Sequence, residues 1–262
     1  MKITERRAAR AALRDAERRY NRGLRLLGQG DYAAGWRLYE ARLNMQPAQV
    51  NTVQPRWTGQ PLRGETVLLH GEQGFGDTFM FCRYVPLVAA AGGAVLLAVP
   101  KASMRILAGL PGVASLRNAE DFLTESGRII HYHSSLMSLP FVFGTTLETV
   151  PPPARLHADP APWSDFLGGL AGLRVGLVWA GRAELPADKQ RSMALADMAP
   201  LLSVPNCSFV SLQLGPAAKQ MQALPPWYPS LRIYRQTVAG DWTGPVQAVA
   251  ADLTEMAAAF RP

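Results

Sequence analysis

The sequence predicts an α/β fold in which two Rossmann-like strand–helix series follow a helical hairpin. Three observations lead there. Short apolar runs at 66–70 and 94–99 each precede a stretch of helical character, and strands that alternate with helices favour a parallel, doubly wound sheet. A second strand–loop–helix series begins at Arg174. Between the two, Pro151, Pro152, Pro153, Pro160 and Pro162 mark a domain boundary, because a proline-dense segment neither continues a helix nor joins a sheet interior.

Residues 1–47 read as a basic helix and one helical hairpin. Lys2, Arg6, Arg7, Arg10, Arg14, Arg18, Arg19, Arg22 and Arg25 stand against Glu5, Asp15 and Glu17, so nine minus three leaves +6 of the chain's net +7 in the first 25 positions. The remainder is close to neutral, which argues against a basic groove for nucleic acid across the fold. The arginines read as the solvated face of an amphipathic helix, or as a contact for an acidic partner or anionic surface. Over 17–44, Tyr20, Leu24 and Leu27 fall at helical spacing and Gly28, Gln29 and Gly30 turn the chain. Asp31 is placed to cap a second helix with the stripe Tyr32, Trp36, Tyr39 and Leu43. The segment 20–47 resembles a tetratricopeptide repeat (TPR): two helices, small residues at their crossing, an aromatic stripe and the closing Pro47. A solenoid needs about three such units to bury its faces, so a single TPR-like hairpin is expected to pack on or cap the following domain.

Residues 48–64 form a polar linker carrying Pro55 and Pro61. The N-terminal Rossmann-like half occupies 65–150. Its expected elements are a buried strand at 66–70, a glycine-rich loop at 71–77 and a helix at 78–91, then a strand at 94–99, a short helix at 104–110 and a strand at 129–132. A second linker, 151–173, leads to a C-terminal half at 174–262 with strands at 174–179 and 208–213, a helix at 195–202, a candidate third strand at 231–234 and a final helix at 246–260. That count is low for a Rossmann half, so the second half reads as truncated.

With 262 residues, 48% hydrophobic and 18% charged, the chain can bury a substantial core. Two cysteines, Cys82 and Cys207, exclude a disulfide scaffold and a multi-cysteine zinc module. The longest uncharged stretch, 84–100, is broken by Pro86 and by Gly92 and Gly93, whereas a spanning helix needs about 20 apolar residues. The charged N-terminus lacks an apolar signal core. A cytoplasmic protein with no membrane span is expected.

The loop after the first strand is the main candidate site. A glycine-rich turn between strand and helix lets backbone approach a ligand, and the helix start offers free N–H groups to a phosphate, a sugar hydroxyl or a reacting oxygen. Its spacing, Gly71, Gly74 and Gly76, is neither the dinucleotide fingerprint nor a P-loop. Asp77 stands at the helix start, either as a general base toward a hydroxyl or as a plain cap. Glu72 reads as a surface acid. His70 ends the first strand, and His131 and His133 flank the end of a later one. Ligands bind beyond the carboxyl ends of strands in open α/β sheets, so His70, Gly71, Gln73, Gly74, Gly76 and His133 are candidate substrate-binding residues, each histidine reading alternatively as a structural one. In the second half, Arg182, Lys189 and Arg191 follow a strand and either suit a diphosphate or form a solvated charged loop; Gln213 ends the next strand in a comparable place. No metal site is expected, and Cys82 reads as a buried thiol.

The stretches PRWTGQPLRGETVLLHGEQGFGDTFMFCRYVPLVAA, HSSLMSLPFVFGTT, LRVGLVWAG, RSMALADMAPLL, SFVSLQLGP and PWYPSLRIYRQTVAGDW occur in this order. Together they resemble bacterial tetratricopeptide-repeat proteins with a heptosyltransferase-like (family 9) glycosyltransferase domain, a group similar to O-linked N-acetylglucosamine transferases. The resemblance implies a GT-B architecture, with a nucleotide-sugar donor on the C-terminal half, the acceptor on the N-terminal half, and Asp77 in the position of the proposed base. The donor is a substrate, so no further cofactor is implied. The repeat would present a protein acceptor or partner. The chain departs from the pattern after Gly215, where strand–helix units that cradle the donor diphosphate are absent, and after Gly181, where Arg182, Ala183 and Glu184 replace an Asn-Pro and histidine loop. Two functional readings follow: sugar transfer to a protein or glycan hydroxyl, or a catalytically incomplete relative that binds or scaffolds, with an oligomer or a completing chain supplying what is missing.

Overall fold

A computed structural model describes residues 3–45, 53–121, 129–181, 188–190, 192–193, 195–212 and 243–259. The chain divides into two compact units, Met1–Ala158 and Asp159–Pro262.

The first unit opens with α1 (Ile3–Gly28), a single helix that includes both the basic segment and the first arm of the hairpin. A turn at Gln29 and Gly30, with φ of +86° at Gly30, leads to α2 (Tyr32–Tyr39) and a 3₁₀ turn, Glu40–Asn44. Asp31 caps α2 as its position predicts, accepting from the Ala34 N–H at 3.1 Å. The helices cross at Gly23 and Gly35: a Cβ at Gly23 would lie 2.8 Å from the Tyr39 nitrogen, so only glycine lets the backbones approach this closely. The buried side of α1 runs through Ala16 and Gly23, with Tyr20 and Leu27 partly covered. Leu24, expected in that stripe, is 43% exposed because it points off the crossing.

Four parallel strands follow: β1 (Thr66–His70), β2 (Ala94–Val99), β3 (Val113–Asn118) and β4 (Tyr132–Ser135), in the order β3-β2-β1-β4. This is a mixed α/β arrangement compatible with a Rossmann-like half. In central β1, Val67, Leu68 and Leu69 are fully buried, each worth about 2 kcal/mol in apolar transfer. The connection after β1 is not one helix. It breaks into α3 (Phe75–Phe81), a 3₁₀ turn at Cys82–Tyr84 and α4 (Val85–Ala90), whose first turn holds Pro86. Proline lacks the N–H that a continuous helix needs there. Helix α5 (Lys101–Leu107) starts three residues before the expected position, and β3 was not anticipated at all. β4 lies three residues beyond the expected 129–132 strand, and Ile129 is 77% exposed. After β4 come a 3₁₀ turn at Leu136–Ser138 and the short α6 (Leu139–Val142).

The segment before β1 is built into this unit. The amide of Trp57 donates to the His133 carbonyl at 2.9 Å and the His133 amide to the Pro55 carbonyl at 3.1 Å, which seats 55–57 beside β4. Trp57 is 1% exposed and stacks edge-on to Phe143.

The second unit holds α7 (Ser164–Gly168), β5 (Leu173–Leu177), α8 (Ala199–Leu202), β6 (Cys207–Ser211) and α9 (Thr243–Ala259). β5 and β6 pair in parallel. Leu177, Trp179, Met193, Met198, Leu201 and Val246 form the buried core, against which α9 also packs Val249, Ala250 and Leu253. The candidate strand at 231–234 lies outside the described residues. No described helix is long and apolar enough to cross a membrane.

Candidate functional site

The strand order reverses between β1 and β4, which makes the crevice at their carboxyl ends the topological switch point where open α/β sheets bind ligands. His70 and Ser135, the last residues of the two strands, are paired in register. The chain leaves β1 through Gly71 to Gly74 and enters α3, so the loop singled out by its glycines borders the switch point.

Glu72 governs this loop. Both its oxygens are held by Arg42, Nε to Oε1 and Nη2 to Oε2 at 2.8 Å each, and Ser135 Oγ donates to Oε2 at 2.6 Å. Arg42, 4% exposed, also donates to Glu40 Oε1 at 2.6 Å and Ser138 Oγ at 2.8 Å, and sits 4.7 Å over the Tyr39 ring. Arg56 closes the set by donating to Glu40 Oε2 at 2.5 Å and Ser138 Oγ at 3.2 Å. Two acids and two arginines are thus paired, and buried Arg42 also donates to the Tyr39 carbonyl and Ser138 hydroxyl, the condition under which buried charge is tolerated. The surface reading of Glu72 is overturned: its side chain is 10% exposed. The missing partner was Arg42, thirty residues upstream on the helical hairpin, a separation that leaves no motif.

Asp77 is the third residue of α3. Its Oδ2 accepts from the Gly74 N–H at 3.0 Å, so the cap predicted as its alternative role is present. Burial nevertheless pushes its carboxyl above the ordinary aspartate range, against the lowering effect of the Gly74 bond, and the Glu72 charge adds to the rise. A carboxylate made more basic in this way is better suited to accept a proton. The hairpin supplies a neighbouring wall: Tyr20 and Tyr39 rings lie 5.4 Å apart, Trp36 meets Phe81 of α3 at 6.5 Å, and burial raises the two tyrosine hydroxyls against the lowering effect of the Arg42 charge, with smaller contributions from Asp77 and Glu72.

His70 is 7% exposed and stacks on His133 with ring centroids 5.8 Å apart. Burial lowers the His70 pKa to about 4, with the His133 ring contributing. Its Nδ1 faces the Gly71 carbonyl at 3.2 Å; a carbonyl only accepts, so Nδ1 carries the proton and Nε2 presents a lone pair. His133 does not flank a strand end. It lies within β4 opposite Leu68, and its buried Nδ1 has no hydrogen-bond partner. His131 is at the other end of the sheet, where its Nδ1 accepts from the Thr66 amide at 2.9 Å.

The sequence-predicted residues therefore fall into two clusters that share Glu72, whose charge acts on both Asp77 and His70. One contains Asp77 and Gly74, the other His70, Gly71 and His133. Gln73, Gly74 and Gly76 are exposed; a Cβ at Gly76 would meet nothing, and one at Gly74 only Asp77 Oδ2 at 3.6 Å. None of the loop glycines has positive φ; Gly74 and Gly76 leave open space for an incoming molecule, whereas a Cβ at Gly71 would crowd Thr78 Oγ1 at 3.2 Å. Tyr20, Tyr39, Arg42, Glu72 and Ser135 were not foreseen as part of the site. Among the described residues, no group of three His, Cys, Asp or Glu is placed to hold a metal.

Of the donor-side candidates, Arg182, Arg191 and Gln213 lie outside the described residues, as does the side chain of Lys189, whose backbone is in the 3₁₀ turn Asp188–Gln190. Beside them, Ser192 Oγ donates to Asp188 Oδ2 at 3.0 Å, and Asp188 is 5% exposed.

No family model and no solved structure matches this chain. It is similar to Protein FlbA of Caulobacter vibrioides, 28% identical over 219 residues that cover 75% of this chain and 37% of FlbA. The chain thus spans little more than a third of the length of that relative.

Proposed function

We propose that this protein is glycosyltransferase-like, transferring a sugar from a nucleotide-sugar donor to a protein or glycan hydroxyl, with a GT-B architecture and a TPR-like hairpin. The observation that carries the reading is Asp77: a half-buried carboxylate with a raised pKa, at the edge of an open glycine loop beside the switch point. In this role Asp77 takes the proton of the acceptor hydroxyl as the hydroxyl oxygen attacks the anomeric carbon, and the nucleotide diphosphate leaves with the bonding pair. Neutral His70 and His133 orient the acceptor by hydrogen bonds. Arg182, Lys189 and Arg191 hold the diphosphate, and Gln213 contacts the donor.

The departure of the sequence from the family pattern after Gly215 favours a second reading: a relative that keeps the acceptor side and works as a binding or scaffold protein, alone or completed by another chain. Calorimetric titration of the folded protein with UDP, GDP and ADP and their sugars separates the two. Micromolar binding of one nucleotide, lost in Arg191→Ala, supports transfer; no binding to any overturns the stand-alone enzyme. Once a donor is known, Asp77→Asn keeps the oxygen that caps α3 but cannot serve as a base. Transfer is expected to fall by about 10²–10⁴-fold with an unchanged denaturation midpoint; undiminished transfer removes Asp77 from the mechanism.

A further inference from the structure

From Glu5 to Asp15 every residue of α1 is exposed, so the helix extends by about three turns beyond the part covered by α2. Arg7, Arg10, Arg14, Arg18, Arg22 and Arg25 follow one another at spacings of three and four and therefore share one side of the helix. All six are exposed. Of these six, Arg18 makes an ion pair among the described residues, with Asp15 at 3.3 Å. From Arg7 to Arg25 the stripe rises 18 helical steps, about 27 Å. Its cost is visible in the local physics. Like charges at i and i+4 (Arg10 and Arg14, Arg14 and Arg18, Arg18 and Arg22) each weaken a helix by about 0.2–0.5 kcal/mol, and cations near a helix start oppose its dipole.

We infer that this stripe is a docking surface for an acidic protein segment, one with Asp or Glu repeated at three- and four-residue spacing. Charge complementarity selects that occupant. A second copy of the chain carries the same +7 and is repelled. A membrane is disfavoured because from Ala16 to Leu27 the side opposite the arginines is covered within the hairpin, and over the free part, Glu5–Asp15, Leu13 is the one large apolar side chain among alanines, too little for the Trp, Phe and Leu face that inserts into a bilayer. A duplex is disfavoured because positions after Arg25 add only +1 to the chain, too little for a broader field around both strands. Carboxylates at i and i+4 of a partner helix repeat about every 6 Å, the repeat of the guanidinium groups.

The test uses the full chain and a labelled 20-residue peptide of alternating Glu and Ala turns. Anisotropy is expected to show binding that weakens at least tenfold between about 50 and 300 mM salt. The thermal midpoint should rise with peptide. Arg10→Glu/Arg14→Glu/Arg18→Glu should lose binding at least tenfold. Arg10→Gln/Arg14→Gln/Arg18→Gln, which relieves repulsion and keeps the helix, should show most of the same loss, so a misfolded reversal variant does not decide the matter. No binding, binding unchanged in the Gln variant, or tighter binding to a 20-base-pair duplex or to phosphatidylserine vesicles than to the peptide overturns the inference.

Discussion

β1 and β5 are the first strands of their respective units, and both lead into a loop at a parallel strand's carboxyl end. Their surroundings differ. β1 is flanked by β2 and β4, and every residue after Thr66 is buried. β5 has β6 on one side, and Arg174 and Gly176 alternate outward while Leu177 alone is buried. The first unit can therefore hold a charged cluster and a histidine inside, because strands and hairpin together exclude water and also supply partners. The second holds an apolar core of six residues and exposes Val178 and Leu212, at 45% and 60%, at the ends of its strands. Depth of burial is what converts ordinary side chains into groups with altered chemistry, and in this chain that conversion is seen around β1.

Removing one member of the buried network is the most severe way to break this contrast. Arg42→Met leaves Glu72 buried with only Ser135 to satisfy it, and such a loss costs about 3–5 kcal/mol. Urea denaturation followed by amide exchange should show the first unit opening early and exchange in the second unchanged. Arg42→Met with Glu72→Leu removes both charges of the pair while Arg56 still holds Glu40, so most of the stability is expected to return. If single and double variants are equally unstable, the cluster acts through packing rather than charge.

A matched pair of substitutions sharpens the comparison. Gly92, with φ of +96°, precedes β2, and a Cβ there would collide with the Leu62 carbonyl oxygen. Gly172, with φ of +68°, precedes β5, and its Cβ would collide with the Asn206 carbonyl oxygen. Alanine at either position combines left-handed strain with overpacking, together about 3 kcal/mol. Gly92→Ala should lower the midpoint of the first unit yet leave it folded. Gly172→Ala should release the slow-exchanging amides of the second unit. Equal tolerance in both would mean that the second unit is as deeply held as the first.

His70 gives an effect of up to about 3 kcal/mol with a defined pH window. Its folded pKa is about 4 against an ordinary 6.5, and each pKa unit is worth about 1.4 kcal/mol. Between those values the unfolded chain binds the extra proton, so unfolding free energy rises with pH. Stability is full above 6.5, falls as pH drops through the window and levels below 4. Urea midpoints measured from pH 7 to 4 should show this slope in the wild type and lose it in His70→Gln; a slope retained by the variant assigns it to other groups.

What could be read from the sequence follows the same division. β1 and β2 are continuous apolar runs because both faces are buried, and that pattern is explicit in TVLLH and AVLLAV. β4 is YHSS: its buried Ser134 and Ser135 owe their place to neighbours, and no periodicity of its own marks it. β3, at the sheet edge, mixes Arg117 and Asn118 into a half-exposed strand and so escaped notice. At the site, the glycines, Asp77 and His70 were legible as residue types in a loop. The Arg42–Glu72 pair and the Tyr20–Tyr39 wall were not, since they exist only once α1 and α2 fold against the strand–helix half.

The smallest expected effect compares two caps within the first unit. Asp31 and Asp77 each accept a hydrogen bond from a backbone N–H, those of Ala34 at 3.1 Å and of Gly74 at 3.0 Å. Asp31 is exposed and serves α2 alone. Asp31→Ala should therefore cost about 1 kcal/mol and Asp31→Asn almost nothing, since an amide oxygen caps as well as a carboxylate. At Asp77 the capping part is the same, but burial opposes the charge. Asp77→Asn removes that opposed charge and keeps the cap, so it should leave stability unchanged or slightly raise it, read as a shift of the urea midpoint at pH 7. A residue that gains stability when its charge is removed is one the fold alone gives no reason to keep ionised. A clear loss in Asp77→Asn, matching the loss in Asp77→Ala, would instead make the carboxylate a structural group and reduce Asp77 to the same standing as Asp31.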